Sequence, residues 1–106
     1  FPREKRLRKK ADFDAMFSGS GRISGNGITL RYKRNGREIS RFGCMIGKKS
    51  GNAVERNRVR RILKETFRNH GFPDNRDYLV TLYRPLKQKT NMDIADIFES
   101  LLNKVH

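Results

Sequence analysis

The chain has 106 residues, with 25 Lys and Arg against 11 Asp and Glu, a formal net charge of +14. That length holds one domain, residues 1–106, around a single modest core, and seven Phe and three Tyr without Trp suffice to build it. A lone Cys excludes an intrachain disulfide, no paired Cys/His spacing marks a metal site, and no apolar run comes near the roughly 18 residues of a membrane span. A reduced, cytoplasmic setting is the expectation. The basic N-terminus lacks the apolar segment of a signal peptide, and the chain opens on Phe1 rather than Met, which leaves room for residues before it.

Phe1–Lys10 is a basic arm with little periodicity, expected to be extended or to order only on binding. Ala11–Phe17 reads as a short helix with Phe13 and Phe17 at i, i+4. Those rings suit either core packing or a stacking surface for unpaired bases. Ser18–Gly27 is rich in Gly and Ser and reads as irregular, with room for a very short edge strand at Arg22–Ser24. Ile28–Lys33 alternates, placing Ile28, Leu30 and Tyr32 inward. Asn35-Gly36 then predicts a hairpin turn into Arg41–Gly47, whose inward set is Phe42, Cys44 and Ile46. Gly43 and Gly47 leave the outer face low enough for another backbone or a ligand to approach. Cys44 reads as a small core residue.

From Ala53 the pattern is helical. Val59, Ile62, Leu63, Thr66 and Phe67 form an apolar face, and Asn57, Arg60, Arg61, Lys64 and Arg68 form the opposite one. Asn52 is the expected N-cap. A solvated helix mixes acids among its bases to gain i,i+4 pairs. Only Glu55 and Glu65 interrupt this one, so the repulsion calls for a polyanion, and the planar fork of Arg suits phosphate. Gly71 and Pro73 end the helix, Tyr78–Tyr83 reads as a buried strand closed by Arg84-Pro85, and Met92–Val105 carries a final apolar stripe. The predicted order is α-β-β-β-α-β-α, an α+β two-layer sandwich with helices packed on one sheet.

Charge placement sharpens this. Residues 1–70 carry 20 Lys/Arg against 6 acids, whereas residues 71–106 carry 5 against 5. The surplus has the form of a nucleic-acid footprint with a neutral scaffold behind it. An anionic membrane surface is the weaker match, because the apolar side of the Arg-rich helix is too orderly to be an insertion face without a core to bury it. Catalytic chemistry is not evident: His70 sits at a helix end, His106 is terminal, and the pairs Asp12/Asp14, Asp74/Asp77 and Asp93/Asp96 read as turn or helix-start residues rather than a metal-binding cluster.

The run Lys48-Lys49-x-Gly51-Asn52-Ala53-Val54-x-Arg56-Asn57-Arg58-Val59-x-Arg61 resembles the signature K-K-x-G-N-A-V-x-R-N-R-[IV]-[KR]-R of the bacterial ribonuclease P protein subunit. Arg6–Lys9 with Phe13 and Phe17 is similar to that family's R-L-[RK]-K-x-x-[DE]-F-x-x-[VM]-F, and Asp77–Val80 with Arg84-Pro85 to its D-Y-[LIV]-[LIV] strand. The resemblance implies a left-handed β-α-β crossover through the Arg-rich helix, in a ribosomal protein S5 domain 2-like fold. It also implies two RNA partners: a catalytic RNA that does the chemistry with Mg²⁺, and the precursor tRNA whose 5′ leader is removed. Lys48, Lys49, Asn52, Arg56, Asn57, Arg58, Arg60 and Arg61 are implied to face the catalytic RNA. Phe13, Phe17 and Arg31 are implied to line a leader cleft, and Lys64 and Arg68, grouped with them, continue the basic face where either RNA could be served. Some relatives have an aromatic residue where Arg31 stands, so stacking at that point is in question. No protein partner, no cofactor and no metal held by this chain are implied. The competing class is a basic RNA-binding module without a catalytic partner, such as a ribosome-associated protein or RNA chaperone, which would share the charge and the helix.

Overall fold

A computed structural model describes residues 6–7, 9–70, 75–83 and 91–105. The elements are α1 (Lys10–Met16), β1 (Gly21–Gly25), β2 (Ile28–Arg34), β3 (Arg41–Ile46), a single 3₁₀ turn (Lys48–Ser50), α2 (Ala53–His70), β4 (Arg76–Leu82) and α3 (Asn91–Val105). This is the expected order of helices and strands. The expected stops at Gly71-Pro73 and Arg84-Pro85 lie outside the described residues.

The four strands stand in the order β1-β2-β4-β3. β4 pairs antiparallel with β2 and parallel with β3, so the chain crosses from β3 through α2 into the middle of the sheet. Parallel neighbours need such a crossover. As the central strand, β4 is covered on both faces, and from Asp77 to Leu82 every residue is buried. That is why Tyr78–Leu82 reads as a continuous apolar run rather than an alternating one.

α2 and α3 pack on one face of the sheet and form the main core. Leu30, Leu63, Tyr78, Val80, Ile94 and Phe98 are fully buried there. Phe42 stacks on Phe67 with centroids 4.7 Å apart, and Phe67 meets Tyr78 edge-on at 5.4 Å. Burying each such side chain contributes about 1.5–3 kcal/mol. The two-layer description holds for this face. On the opposite face α1 adds a short cover, where Leu7, Met16 and Leu79 are buried with Phe13 against them.

Three local expectations are corrected. The hairpin forms at Asn26-Gly27, not at Asn35-Gly36: Asn26 (φ 51°) and Gly27 (φ 87°) fold β1 onto β2, with Gly25 opposite Ile28. Positive φ at both central residues matches the right-handed strand twist. The short edge strand expected at Arg22–Ser24 does form and runs one residue further at each end, Gly21–Gly25. Asn35 instead wraps its turn around the start of β4. Its backbone N–H donates to the Asn75 carbonyl (2.8 Å) and its Nδ2 to Asp77 Oδ1 (2.8 Å). The arm is also not wholly free of the fold, because Arg6 bridges to Phe42 on the outer edge of β3, and the Leu7 N–H donates to the Phe42 carbonyl (2.9 Å).

The third correction is Asp77, which is no turn residue. It is a buried strand residue whose carboxylate accepts from Arg41 Nε (2.9 Å) and Nη2 (2.7 Å) as well as from Asn35. Arg41 Nη1 also lies 3.4 Å from Asp12 on α1, so one guanidinium ties helix and sheet together.

Gly43 shows what its low face is for. A Cβ there would come within 2.9 Å of Leu7 Cβ and 3.1 Å of the Phe13 ring. Gly43→Ala is expected to push the Leu7 segment and α1 off the sheet, costing roughly 1–3 kcal/mol by overpacking. Chemical denaturation with unchanged m-value would register it; an unchanged midpoint would show that the close approach does not matter.

Candidate RNA-binding surface

The start of α2 is built by a reciprocal cap. The Glu55 N–H donates to Asn52 Oδ1 (2.8 Å), and the Asn52 N–H donates to Glu55 Oε1 (3.1 Å). Gly51 enters this cap at φ 149°, and a Cβ there would sit 3.0 Å from the Glu55 Cβ, so the Gly-Asn pair is required by helix geometry. Upstream, the buried Ser50 hydroxyl donates to the Leu82 carbonyl (3.0 Å) and anchors the Lys48–Ser50 turn to the end of β4. Lys48 and Lys49 project into solvent from that anchored turn.

Along α2, Val59, Leu63 and Phe67 are buried, and the basic residues divide into three groups. Arg56, Arg60 and Lys64, at i,i+4 spacing, are half-buried along the flank beside β3. Arg61 and Arg68, with the neutral Asn57 on the same side, are exposed. Arg58 is half-buried on the flank of Ile62, towards α3. Among the described residues, Lys48, Lys49, Arg61, Lys64 and Arg68 have no carboxylate partner; Arg60 donates to Asn57 Oδ1 (2.9 Å). Arg56 Nε is buried without an acceptor among the described residues. Burial pushes the Cys44 thiol up, and the nearby Lys64 and Arg60 draw it back only in part, so Cys44 stays a protonated packing residue.

The second surface lies on the sheet face that carries α1. Phe17 is 47% exposed, and the Arg31 guanidinium sits 4.5 Å from its ring centroid, a cation–π contact. Arg31 Nη1 also donates to Thr81 Oγ1 (3.2 Å), which ties the guanidinium to β4. Phe13 is half-buried under Leu7 and mostly serves packing, so the two rings have different surroundings. Sequence reasoning passed over Lys33, whose Nζ donates to the Ser18 carbonyl (3.3 Å) and fastens the end of α1 to β2. Its outward place in the β2 alternation was the available signal.

Comparison with known proteins shows the family to which the chain belongs. The family model for ribonuclease P matches residues 1–106. The chain belongs to the ribonuclease P protein family. It is 36% identical over 108 residues to the ribonuclease P protein component of Stutzerimonas stutzeri, covering 99% of this chain and 82% of that protein. It is 38% identical over 86 residues to the component from Desulfotalea psychrophila, covering 79% and 71%. The Staphylococcus aureus RNase P protein structure superposes with a TM-score of 0.88 at 27% identity, covering 95% of this chain and 94% of that one. The Thermotoga maritima RNase P protein shares the fold, with a TM-score of 0.84 over 95% and 97% of the two chains. As a ribonuclease P protein, the chain has an RNA partner and a place in tRNA processing.

Proposed function

We propose that the chain is the protein subunit of a ribonuclease P holoenzyme, binding the catalytic RNA and the 5′ leader of precursor tRNA on two adjoining surfaces. The observation that carries this reading is that one thin sheet presents both surfaces, one on each face, with only β4 and β3 between Arg31 on β2 and the basic flank of α2. The basic flank of α2 lies on one side of β3, and the Phe17–Arg31 cleft lies on the sheet face that α1 partly covers.

On the first surface, Lys48, Lys49, Arg56, Asn57, Arg58, Arg60 and Arg61 contact the catalytic RNA. Asn52 belongs to that group through its amide nitrogen, since its oxygen is engaged in the helix cap. On the second, Phe17 and Arg31 form the stacking platform, Phe13 supports it, and Lys64 and Arg68 reach the leader phosphates. Phosphate charge and ring faces are common to all nucleotides, so leader binding is sequence-tolerant. Mg²⁺ belongs to the RNA, which carries out the hydrolysis. The described residues bring no three carboxylate, thiol or imidazole groups together. The protein's part is to hold two polyanions side by side, in the cytoplasm where tRNA matures.

The test is cleavage of a leader-bearing precursor tRNA by a bacterial ribonuclease P RNA at low Mg²⁺, with and without the chain. Restored cleavage supports the reading. Tight RNA binding with unchanged cleavage would transfer the chain to the class of general RNA-binding modules.

A further inference from the structure

The sheet face that carries the Phe17–Arg31 pair does not stop at it. Along β4, alternate residues Asp77, Leu79 and Thr81 point to this side, and Tyr83, one residue past the strand's end, lies beside Thr29 and Thr81 there. α1 covers the first part, where Leu79 is packed under Met16 and Leu7. Beyond it a hollow opens, lined by Ser24, Thr29, Thr81 and Tyr83. Tyr83 stands at its far end, 52% exposed.

Tyr83 is held in place rather than loose. The Gly47 N–H donates to the Leu82 carbonyl (2.8 Å), which carries the strand geometry up to Tyr83. The Tyr83 ring leans over Gly47 so closely that a Cβ there would lie 3.0 Å from its Cδ1. Lys48 and Lys49 follow directly and are both exposed. The two ends of the groove therefore match: an exposed ring with Arg31 at one, an exposed ring with two Lys at the other, and hydroxyls between. An antiparallel strand rises about 3.4 Å per residue, so the backbone of the Leu79 row, which pairs with Arg31, and that of residue 83 are roughly 14 Å apart. An unstacked RNA strand crosses that distance in about two nucleotides, and threonine hydroxyls can meet base edges or 2′-OH groups on the way.

The geometry points to Tyr83 as a second base-stacking platform, taking a leader base about two nucleotides from the one on Phe17–Arg31. This rests on the reading that the cleft holds the single-stranded leader. The protein thereby reads leader length and path, with no demand on base identity.

The experiment measures precursor-tRNA affinity of the reconstituted holoenzyme with Tyr83→Ala, Tyr83→Phe and Phe17→Ala, on substrates carrying a single abasic site at successive leader positions. Tyr83→Ala is expected to weaken binding about fivefold to a hundredfold, within the range for one stacked base, and Tyr83→Phe to keep most of it. Leaderless mature tRNA should bind all variants alike. An abasic site should erase the Tyr83→Ala effect at one position and the Phe17→Ala effect at another, two nucleotides away. A Tyr83→Ala variant that binds precursor normally while Phe17→Ala does not would overturn this inference and leave the cleft reading standing. Equal weakening on mature tRNA would also overturn it. If neither variant alters precursor binding, the cleft reading falls with it. Affinity for the catalytic RNA alone, unchanged in both variants, confirms that the fold is intact.

Discussion

Replacing Asp77 with Ala is expected to lower stability by about 3–5 kcal/mol, a large share of a small domain's margin. The carboxylate accepts two bonds from Arg41 and one from Asn35, and the Arg41 and Asp77 side chains are only 11% and 10% exposed. Removing the acid leaves a guanidinium and an amide without their acceptor in a nearly closed site, and that orphaning dominates the cost. A melting temperature lower by roughly 12 °C or more would follow for a domain of this size. Asp77→Asn should fall between, because one acceptor oxygen remains. A double-mutant cycle with Arg41→Ala should show strong coupling, the second substitution costing far less than the first. If Asp77→Ala melts within a few degrees of the parent, the network is ornamental and α1 must be held by Leu7, Phe13 and Met16 alone.

The second large effect is on binding rather than folding. Arg60→Ala combined with Arg61→Ala is expected to weaken catalytic-RNA affinity by about a hundredfold or more, since each charged hydrogen bond to phosphate contributes about 1.5–3 kcal/mol. Among the described residues this pair makes one hydrogen bond, from Arg60 to Asn57 within the helix, so stability should change by only about 0.5 kcal/mol. The diagnostic is salt. Two lost phosphate contacts should flatten the slope of log K against log salt by about 1.4–1.8. A drop in affinity with the slope unchanged would mean that these residues act through local geometry, not phosphate charge.

The sequence made some elements legible and hid others for identifiable reasons. α2 was readable because its apolar stripe, its cap and its one-sided charge are all local. Asn52 and Glu55 lie three residues apart, and Val59, Leu63 and Phe67 repeat every turn. β4 was readable because a strand buried on both faces needs an unbroken apolar run. The strand order was not, because two Asn-Gly pairs offer the same turn chemistry. What separates them is the Asn35–Asp77 bond, 42 residues apart in sequence. The Arg41–Asp77 pair was hidden likewise, spanning 36 residues, and an isolated Asp near a Pro looks like a turn residue until its strand is placed. In the candidate site, charge and aromatic content drew attention to Phe13 and Phe17 equally. Only packing shows that Phe13 is half-buried beneath Leu7 while Phe17 faces solvent.

The position of β4 has a consequence for how the molecule comes into being. It is the last strand to leave the ribosome and the one that sits in the middle, so β2 and β3 have no common neighbour until residue 82 has emerged. Until then the nascent chain holds one hairpin, an unpaired strand and a strongly basic helix without its core, among ribosomal RNA at high concentration. The electroneutral last third, residues 71–106, completes the sheet and supplies α3 to cover it. The division of charge along the chain is thus also a division in time: the strongly basic part is made first, and the part that gives it a shape arrives last.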